Sequence, residues 1–194
     1  IPSSADALHD TVDAGGKDAV VWYLRNMPKS RIFDGKALIL GGSHAPNYNL
    51  SDSLVGDLSA ILIENINPLV NLVRVPKKST ALLSDFEIKR DRIAQEAMKQ
   101  NVTNLSGVPS WMLSVLTRVM ELSGKQHLNE VWPNREVFFH GGVAFTPYRN
   151  QYQILILQIY SAREPYKKEY IHYHILSWHP FQDDRLSRHL YLPH

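Results

Sequence analysis

Apolar residues recur at the spacing of an amphipathic helix between Pro109 and Gly124. The stripe consists of Trp111, Met112, Val115, Leu116, Val119 and Met120. Proline is tolerated in the first turn of a helix, because the N–H that it lacks would have no intrahelical partner there. Glycine readily adopts the left-handed conformation that often follows the last helical residue. The pattern therefore predicts a helix that begins at Pro109 and ends just before Gly124.

Three short apolar segments, each followed by glycine, predict buried strands. They are residues 36–40, 102–105 and 136–139, followed by Gly41-Gly42-Ser43-His44, Ser106-Gly107 and His140-Gly141-Gly142 respectively. Because strands alternate with helical segments, we expect an α/β fold with a mainly parallel sheet and flanking helices. Ligands of such sheets bind beyond the carboxyl ends of the strands. The glycines therefore indicate a crevice at residues 41–44, 107–109 and 141–144, unless the strands simply stop there to turn.

Caps and chain breakers predict helices in the first half of the chain. One helix is expected over residues 3–27, with a break or a close contact at Gly15-Gly16. A second is expected to begin at Ser51 or Asp52, since either side chain can cap a helix. A short helix over residues 67–73 follows.

The middle of the chain contains a capping-box sequence, Ser84-Asp85-Phe86-Glu87, which predicts a helix that reaches about Gln100. The charged run at residues 89–92 (KRDR) is interpreted as the solvated face of that helix. Near the end, residues 154–159 (ILILQI) fit one more strand, and the residues after them follow neither a helical nor a strand period.

Composition narrows the class of protein. The chain has 194 residues, 44% hydrophobic and 21% charged, which is typical of one soluble domain with a sizeable core. A net charge of +2, with no run of more than two basic residues, argues against nucleic-acid binding. The absence of cysteine excludes disulfides and thiolate nucleophiles and is typical of a reducing compartment. No apolar run approaches the about 18 residues of a membrane span, so we expect a cytoplasmic protein with no membrane partner.

Histidines are the main candidates for chemistry that the residues themselves offer. Five of nine lie near the end of the chain, at His172, His174, His179, His189 and His194. Their spacing matches no standard zinc pattern, so we predict surface or half-buried histidines and no metal site. His44 and His140 stand at strand ends, where each could face a ligand or be held by backbone hydrogen bonds. No Walker loop, HExxH or GxGxxG motif occurs, and no catalytic residue is assigned.

Several short motifs occur in an order typical of one enzyme family. They are Gly15-Gly16-Lys17-Asp18, Gly35-Lys36, Gly41-Gly42-Ser43-His44, Gly56-Asp57-Leu58-Ser59-Ala60, Gly107-Val108-Pro109-Ser110-Trp111-Met112, Glu130-Val131-Trp132-Pro133-Asn134, Phe139-His140-Gly141-Gly142-Val143 and Pro147-Tyr148-Arg149. As a set they resemble the bacterial form of the auxin-responsive promoter family of acyl acid amido synthetases, which belongs to the adenylate-forming superfamily. The resemblance covers about residues 1–153 and implies a partial N-terminal domain of an adenylate-forming enzyme.

The resemblance implies a two-step reaction that uses ATP and Mg²⁺. ATP and a small carboxylic acid give an acyl adenylate and pyrophosphate, and an amino acid then attacks to form an amide. In the superfamily the Gly-Gly turn lies against the nucleotide, and the start of the following helix lines the acyl pocket. Carried over, this assigns Gly141, Gly142 and Val143 to the nucleotide and Val108, Pro109 and Met112 to the acyl substrate. The alternative for these residues is close packing of backbone and core.

Two motifs of the family are missing. The Ser/Thr/Gly-rich phosphate loop would precede residue 1, and the Tyr-x-x-Ser-Glu-Gly motif, whose Glu serves magnesium, would follow Arg149. No Ser-Glu pair occurs in residues 150–194, and the first residue is Ile1, not Met. We therefore expect a fragment that is inactive alone, with a partial adenylate-forming domain at residues 1–153. Residues 154–194 would then form an atypical tail, frameshifted or poorly ordered.

Two other functions remain open. The first is a non-catalytic ligand-binding or interaction domain that keeps the fold and has lost the chemistry, which the missing motifs favour. The second is a ligase that forms coenzyme A thioesters.

Overall fold

A parallel sheet forms the centre of the structure, a computed structural model that describes residues 16–46, 54–65, 68–141, 143–157 and 174–178. Its strands are β1 (Lys36–Ile39), β4 (Arg74–Val75), β5 (Val102–Gly107), β6 (Val137–Gly141) and β7 (His174–Trp178). They lie in the order β4-β1-β5-β6-β7, and every neighbouring pair is parallel. A separate antiparallel pair consists of β2 (His44–Pro46) and β3 (Leu54–Gly56).

Helices connect these strands. They are α1 (Gly16–Asn26), α2 (Leu58–Glu64), α3 (Val70–Val73), α4 (Lys78–Ala81), α5 (Phe86–Ala97), α6 (Pro109–Ser123), α7 (Leu128–Val131) and α8 (Arg149–Leu157), with short 3₁₀ turns at Ile32–Asp34 and Thr146–Tyr148. The predicted α/β fold with a mainly parallel sheet and flanking helices is confirmed. Of the helices in these ranges, none combines the length and the apolar character needed to cross a membrane.

Side chains of β6 show that helices pack on both faces of the sheet. Phe138 belongs to the larger core cluster, which also contains buried residues of α5 and α6. Val137 belongs to a smaller cluster with Tyr23 of α1, and Phe139 packs against that cluster. Because successive residues of a strand point to opposite faces, the two clusters lie on opposite sides of the sheet.

Helix α6 follows its sequence pattern closely. Pro109 occupies the first turn, and Gly124 adopts a φ of 63° while its N–H donates to the Met120 carbonyl at 3.1 Å. The stripe residues Met112, Val115, Leu116 and Val119 are all at most 1% exposed. Burying each such side chain contributes roughly 1.5–3 kcal/mol, so this helix is a major part of the core. Trp111 differs from the prediction, since 38% of it is exposed.

The helix predicted to begin at Ser51 or Asp52 begins later. Residues Leu54–Gly56 form β3, and α2 starts at Leu58 with Asp57 as its N-cap residue. The prediction was wrong because Leu54 and Val55 pair with β2, a contact between separate segments that helical spacing does not reveal. Residues 3–15 of the predicted first helix lie outside the described residues, and α1 covers the rest up to Asn26.

The capping box at Ser84 is also corrected. Asp85 is the N-cap residue of α5, and its carboxylate accepts the Ile88 N–H at 2.8 Å. The helix ends at Ala97, short of Gln100.

The interpretation of the charged run at residues 89–92 as a solvated face is wrong for its first residue. Lys89 is only 5% exposed, whereas Arg90 and Asp91 are half-buried and Arg92 is exposed. Tertiary packing brings the Lys89 side chain inward, and the sequence run alone does not show it.

The strand predicted at residues 154–159 was wrong as well. Arg149–Leu157 is a helix, α8, in which Tyr152 is buried against the main core. Short apolar runs fit a strand and a buried helix equally well, and here the longer helical context prevails. Strand β7 lies in the stretch for which no element was predicted. The division into residues 1–153 and 154–194 stays a prediction.

Candidate functional site

The parallel register places three glycine-bearing strand ends side by side. Ile39 of β1 is paired with Ser106 of β5, and Gly107 is paired with His140 of β6. The backbone N–H of Leu40 extends the first pairing by donating to the Ser106 carbonyl at 2.9 Å. We call the region formed by residues 40–43, 107–109, 140, 141 and 143 the carboxyl-edge site. It contains most of the residues at which the glycines predict a crevice, and that crevice stays a prediction.

The residues assigned to the acyl pocket lie at the start of α6, where Val108 is half-buried and both Pro109 and Met112 are buried. Val108 is the N-cap residue of α6, and Pro109 follows it in the first turn. The Pro109 carbonyl accepts a hydrogen bond from the Tyr152 hydroxyl at 2.8 Å, which ties α8 to the start of α6. Met112 has no exposed surface and packs in the main core. Of this trio, Val108 and Pro109 belong to the carboxyl-edge site, while Met112 lies about one turn further along α6 in the core.

The residues assigned to the nucleotide follow β6. Gly141 ends the strand and is half-buried, and Val143 is 38% exposed. Gly142 lies outside the described residues. Because Gly107 pairs with His140, Gly141 and Val108 stand at adjacent strand ends. The structure thus brings Val108, Pro109 and Gly141 to one edge, and the roles assigned to them remain predictions.

Gly107 is required by backbone conformation. Its φ of 151° is one that side chains rarely adopt, and a Cβ built there would lie 3.0 Å from the Cβ of Leu40. This position therefore lets β1 and β5 approach closely just where β5 turns into α6.

At the end of β1, glycine is required by packing. A Cβ on Gly42 would lie 1.8 Å from Oδ2 of Asp57, and a Cβ on Gly41 would lie 2.4 Å from Cδ1 of Ile63. The space that these glycines leave is filled by side chains of α2 and its cap. Gly41 and Gly42 therefore pack closely against the protein itself. The side chain of His44 lies outside the part of the chain that the structure describes.

Lys89 is the functional candidate that sequence reasoning missed. Its Nζ donates to the Gly41 carbonyl at 2.6 Å and to the Gly42 carbonyl at 2.7 Å. Burial lowers the pKa of this ammonium, and the Asp57 carboxylate opposes that shift. A signal for this burial exists in α5, where Lys89 shares the buried face of Ile93 and Ala97 at four-residue spacing.

His140 is packed among aromatic rings. It is 4% exposed, with ring centroids 5.6 Å from Phe138 and 4.9 Å from Phe145. Tyr152 completes the cluster, 5.4 Å from Phe138, and burial raises the pKa of its hydroxyl. This environment supports the structural interpretation of His140. The sequence did not predict this aromatic cluster, because Tyr152 reaches it from α8, a helix that was not predicted.

An exposed aromatic pair borders the site on the α5 side. The rings of Phe86 and Trp111 have centroids 5.9 Å apart, and each residue is nearly two-fifths exposed. Together with Leu40, Gly41 and Lys89 they line a narrow slot between α5 and α6. Trp111, predicted to be core, is therefore part of the surface beside the site.

A larger groove runs along α6, away from the strand ends. It has a volume of about 390 Å³ and is lined by Arg90, Ser110, Leu113, Ser114, Thr117, Arg118 and Glu121. Arg118 is held there by Asp91 and Glu121, both at 2.9 Å, so its charge is already compensated. Within the described ranges, no group of three or more His, Asp or Glu side chains is placed to hold a metal ion. The clustered histidines of the chain end lie outside those ranges or have undescribed side chains.

Comparison with known proteins identifies the family. The model of the GH3 family N-terminal domain matches residues 4–159, which is well over half of the chain. No curated protein and no solved structure matches. The matched residues include the ends of β1, β5 and β6 and all of α6, so the family match and the site involve the same part of the chain. The chain belongs to the GH3 family, the auxin-responsive family of acyl acid amido synthetases.

Proposed function

We propose that this chain shapes the substrate-binding half of an ATP-dependent acid–amino acid ligase. In the first step, a carboxylate oxygen of the acid attacks the α-phosphorus of ATP, and pyrophosphate leaves. In the second step, the amine of an amino acid attacks the acyl carbon, an amide bond forms and AMP leaves. Adenylation is needed because it converts a poor leaving group, the carboxylate oxygen, into AMP.

The observation that carries this proposal is the adjacency of the three glycine-bearing strand ends at one edge of a parallel sheet. Ligands of parallel α/β sheets bind at that edge. Gly141, followed by Gly142 and Val143, presents backbone that a planar adenine could approach closely. Val108 and Pro109 stand beside it, where the acyl group would lie, with Met112 supporting them from the core.

The start of α6 supplies a favourable electrostatic environment for the reacting acid. The Val108 side chain makes no cap hydrogen bond, so it satisfies none of the first N–H groups of a 15-residue helix. Such groups, with the helix dipole, stabilise nearby anionic oxygens. The carboxylate of the acid and the α-phosphate oxygens are anions of that kind.

The triphosphate is not assigned to this chain. Mg²⁺ is expected with ATP, yet the described residues contain no group of three or more His, Asp or Glu side chains that could hold it. The sequence also lacks the Tyr-x-x-Ser-Glu-Gly motif. We therefore expect no activity from the 194-residue chain alone and full activity only from a complete gene product.

Acid-dependent exchange of pyrophosphate into ATP tests the proposal. We expect exchange from the complete gene product with at least one acid of a broad panel, amide formation on adding amino acids, and neither from the 194-residue chain. Absence of exchange across the panel would contradict the enzymatic proposal. Tight binding of an unrelated ligand in titration calorimetry, without exchange, would instead support the non-catalytic alternative. Transfer to coenzyme A in preference to amines would support the thioester-forming alternative.

A further inference from the structure

Two consecutive peptide groups at the end of β1 are each held from both sides by side chains. In the Gly41–Gly42 peptide, the carbonyl accepts from Lys89 Nζ at 2.6 Å and the N–H donates to Ser59 Oγ at 3.0 Å. In the Gly42–Ser43 peptide, the carbonyl accepts from the same Nζ at 2.7 Å and the N–H donates to Asp57 Oδ2 at 3.2 Å. The ammonium therefore fixes both oxygens, and residues at the start of α2 fix both N–H groups.

This arrangement is costly for packing alone. Lysine is rarely buried, because its ammonium loses hydration that two neutral carbonyls only partly replace. Among the described residues Lys89 forms no ion pair, and Asp57 compensates it only across the intervening peptide. An apolar side chain would fill the same space beside Ile93 without that loss. The presence of a lysine here is therefore better explained by its hydrogen bonds to the Gly41 and Gly42 carbonyls than by the space that its side chain fills.

The lysine holds a segment that has little conformational restraint of its own. Glycine loses more conformational freedom on ordering than any other residue, and here two glycines follow each other. The segment follows Leu40, the residue after β1, which lies against Gly107 and donates to the Ser106 carbonyl. A rotation of either peptide would displace the β1 side of the carboxyl-edge site against the start of α6.

We propose that Lys89 is a positioning residue of the carboxyl-edge site, whose buried ammonium holds the Gly41–Gly42 and Gly42–Ser43 peptides in the orientation that the site requires. This inference rests on the proposed function for the reaction it serves. Asp57 and Ser59 hold the same two peptides by accepting hydrogen bonds from their N–H groups. The segments Gly41-Gly42-Ser43 and Asp57-Leu58-Ser59 are thus joined by hydrogen bonds in the fold.

Amide hydrogen exchange in the 194-residue chain tests the positioning. In Lys89→Met, we expect the amides of Gly42 and Ser43 to exchange about tenfold faster or more, because the peptide oxygens lose hydrogen bonds to a charged group. Amides in the middle of α6 should keep their rates. The matched control is Arg92→Met, an exposed position on the same helix. Unchanged rates at Gly42 and Ser43, or equal acceleration throughout the chain, would overturn the inference.

Restoring the ammonium separates charge from packing. The chain has no cysteine, so Lys89→Cys introduces a unique thiol. Alkylation with 2-bromoethylamine under denaturing conditions, followed by refolding, forms a carbon–sulfur bond, releases bromide and recreates a lysine-like side chain. We expect alkylation with bromoethylamine to restore slow exchange at Gly42 and Ser43. Alkylation with bromopropane, which gives an apolar chain of similar length, should not. Equal recovery with both reagents would overturn the role of the charge.

Activity connects the peptide positions to the reaction. In the complete gene product, Lys89→Met should raise the KM for ATP or acid at least about tenfold, by the loss of positioned binding surface, and change kcat much less. An unchanged KM in an active enzyme would overturn the inference. If the wild-type gene product shows no exchange at all, the proposed function fails. The hydrogen-exchange result then decides alone whether Lys89 holds the two peptides.

Discussion

The ends of β1 and β5 both carry glycine at the same edge of the sheet, and they need it for different reasons. At β1, side chains of the chain itself occupy the space beside Gly41 and Gly42, and Lys89, Asp57 and Ser59 take the polar groups of two peptides. At β5, Gly107 is set by a φ of 151°. Helix α6 follows that end directly with no side-chain cap. The β1 end is thus closed by side chains of the protein itself, whereas at the β5 end no side chain caps the helix that follows. A glycine at a strand end indicates that another group approaches the backbone closely. At β1 that group is a side chain of the protein itself and not a ligand.

Gly42→Ala should give the largest effect in this comparison. The new Cβ would meet Oδ2, Cγ and Cβ of Asp57. Rotation of the side chain can move the first two atoms away, but Cβ moves only with the backbone at the cap of α2. We expect a loss of about 3 kcal/mol in the free energy of unfolding, at the upper end for an overpacked site. Urea unfolding of the 194-residue chain measures it.

Gly41→Ala is the matched control for that variant. Its closest clash is with Cδ1 of Ile63, the end of a flexible side chain, so we expect a smaller loss of about 1–2 kcal/mol. Equal and small losses at both positions would show that α2 moves aside easily, so its contacts with Gly41 and Gly42 would not restrict the β1 end.

These two strand ends also show what the sequence could and could not predict. The three glycine-bearing strands and the parallel order were predictable, because apolar runs, glycines and helical spacing are local signals. Helix α6 was predictable to the residue for the same reason, with Pro109 and Gly124 as its boundaries. The filling of the space beside Gly42 by Asp57 was not, since it depends on two segments that meet only in the fold.

The burial of Lys89 is a second feature that the local sequence did not predict. A charged residue next to other charged residues suggests a solvated helix face, and only the positions of Ile93 and Ala97 place it on the buried one. The error at α8 has a different origin. A run such as ILILQI has no polar residue to reveal its period, so its neighbours decide whether it is helix or strand.

Gly107→Ala should have an intermediate effect. Alanine at a φ of 151° is strained, and its Cβ would lie tightly against Leu40 at 3.0 Å. We expect a loss of about 2 kcal/mol in the free energy of unfolding, typical of a non-glycine residue in a disfavoured backbone region. Thermal or urea unfolding measures it.

Gly124→Ala separates backbone strain from contact in that measurement. Gly124 has a φ of 63°, and no atom lies within 4 Å of the position that a Cβ would take there. The cost there is the left-handed conformation alone, about 1 kcal/mol. If Gly107→Ala costs no more than Gly124→Ala, close approach of β1 and β5 contributes nothing, and the contrast between the two strand ends loses its basis.

The smallest effect that we predict is a pH dependence of the β1 end. Burial lowers the pKa of Lys89 from 10.5, so between the lowered pKa and 10.5 the unfolded chain binds more protons at this residue than the folded chain does. Stability from this group is therefore lowest below the lowered pKa and rises with pH up to about 10.5. The free energy of unfolding of the wild type, minus that of Lys89→Met, should thus increase as the pH is raised through the alkaline range. Urea unfolding of both proteins at matched pH values measures the difference, in which the other titrating groups cancel.

Asp57→Asn sharpens the test, because removing the carboxylate that opposes the pKa shift of Lys89 should start the rise in stability at a lower pH. A flat difference would mean that folding does not perturb the Lys89 ammonium, and a difference that falls with pH would mean that folding stabilises its charge. Either result would contradict a costly burial of this ammonium.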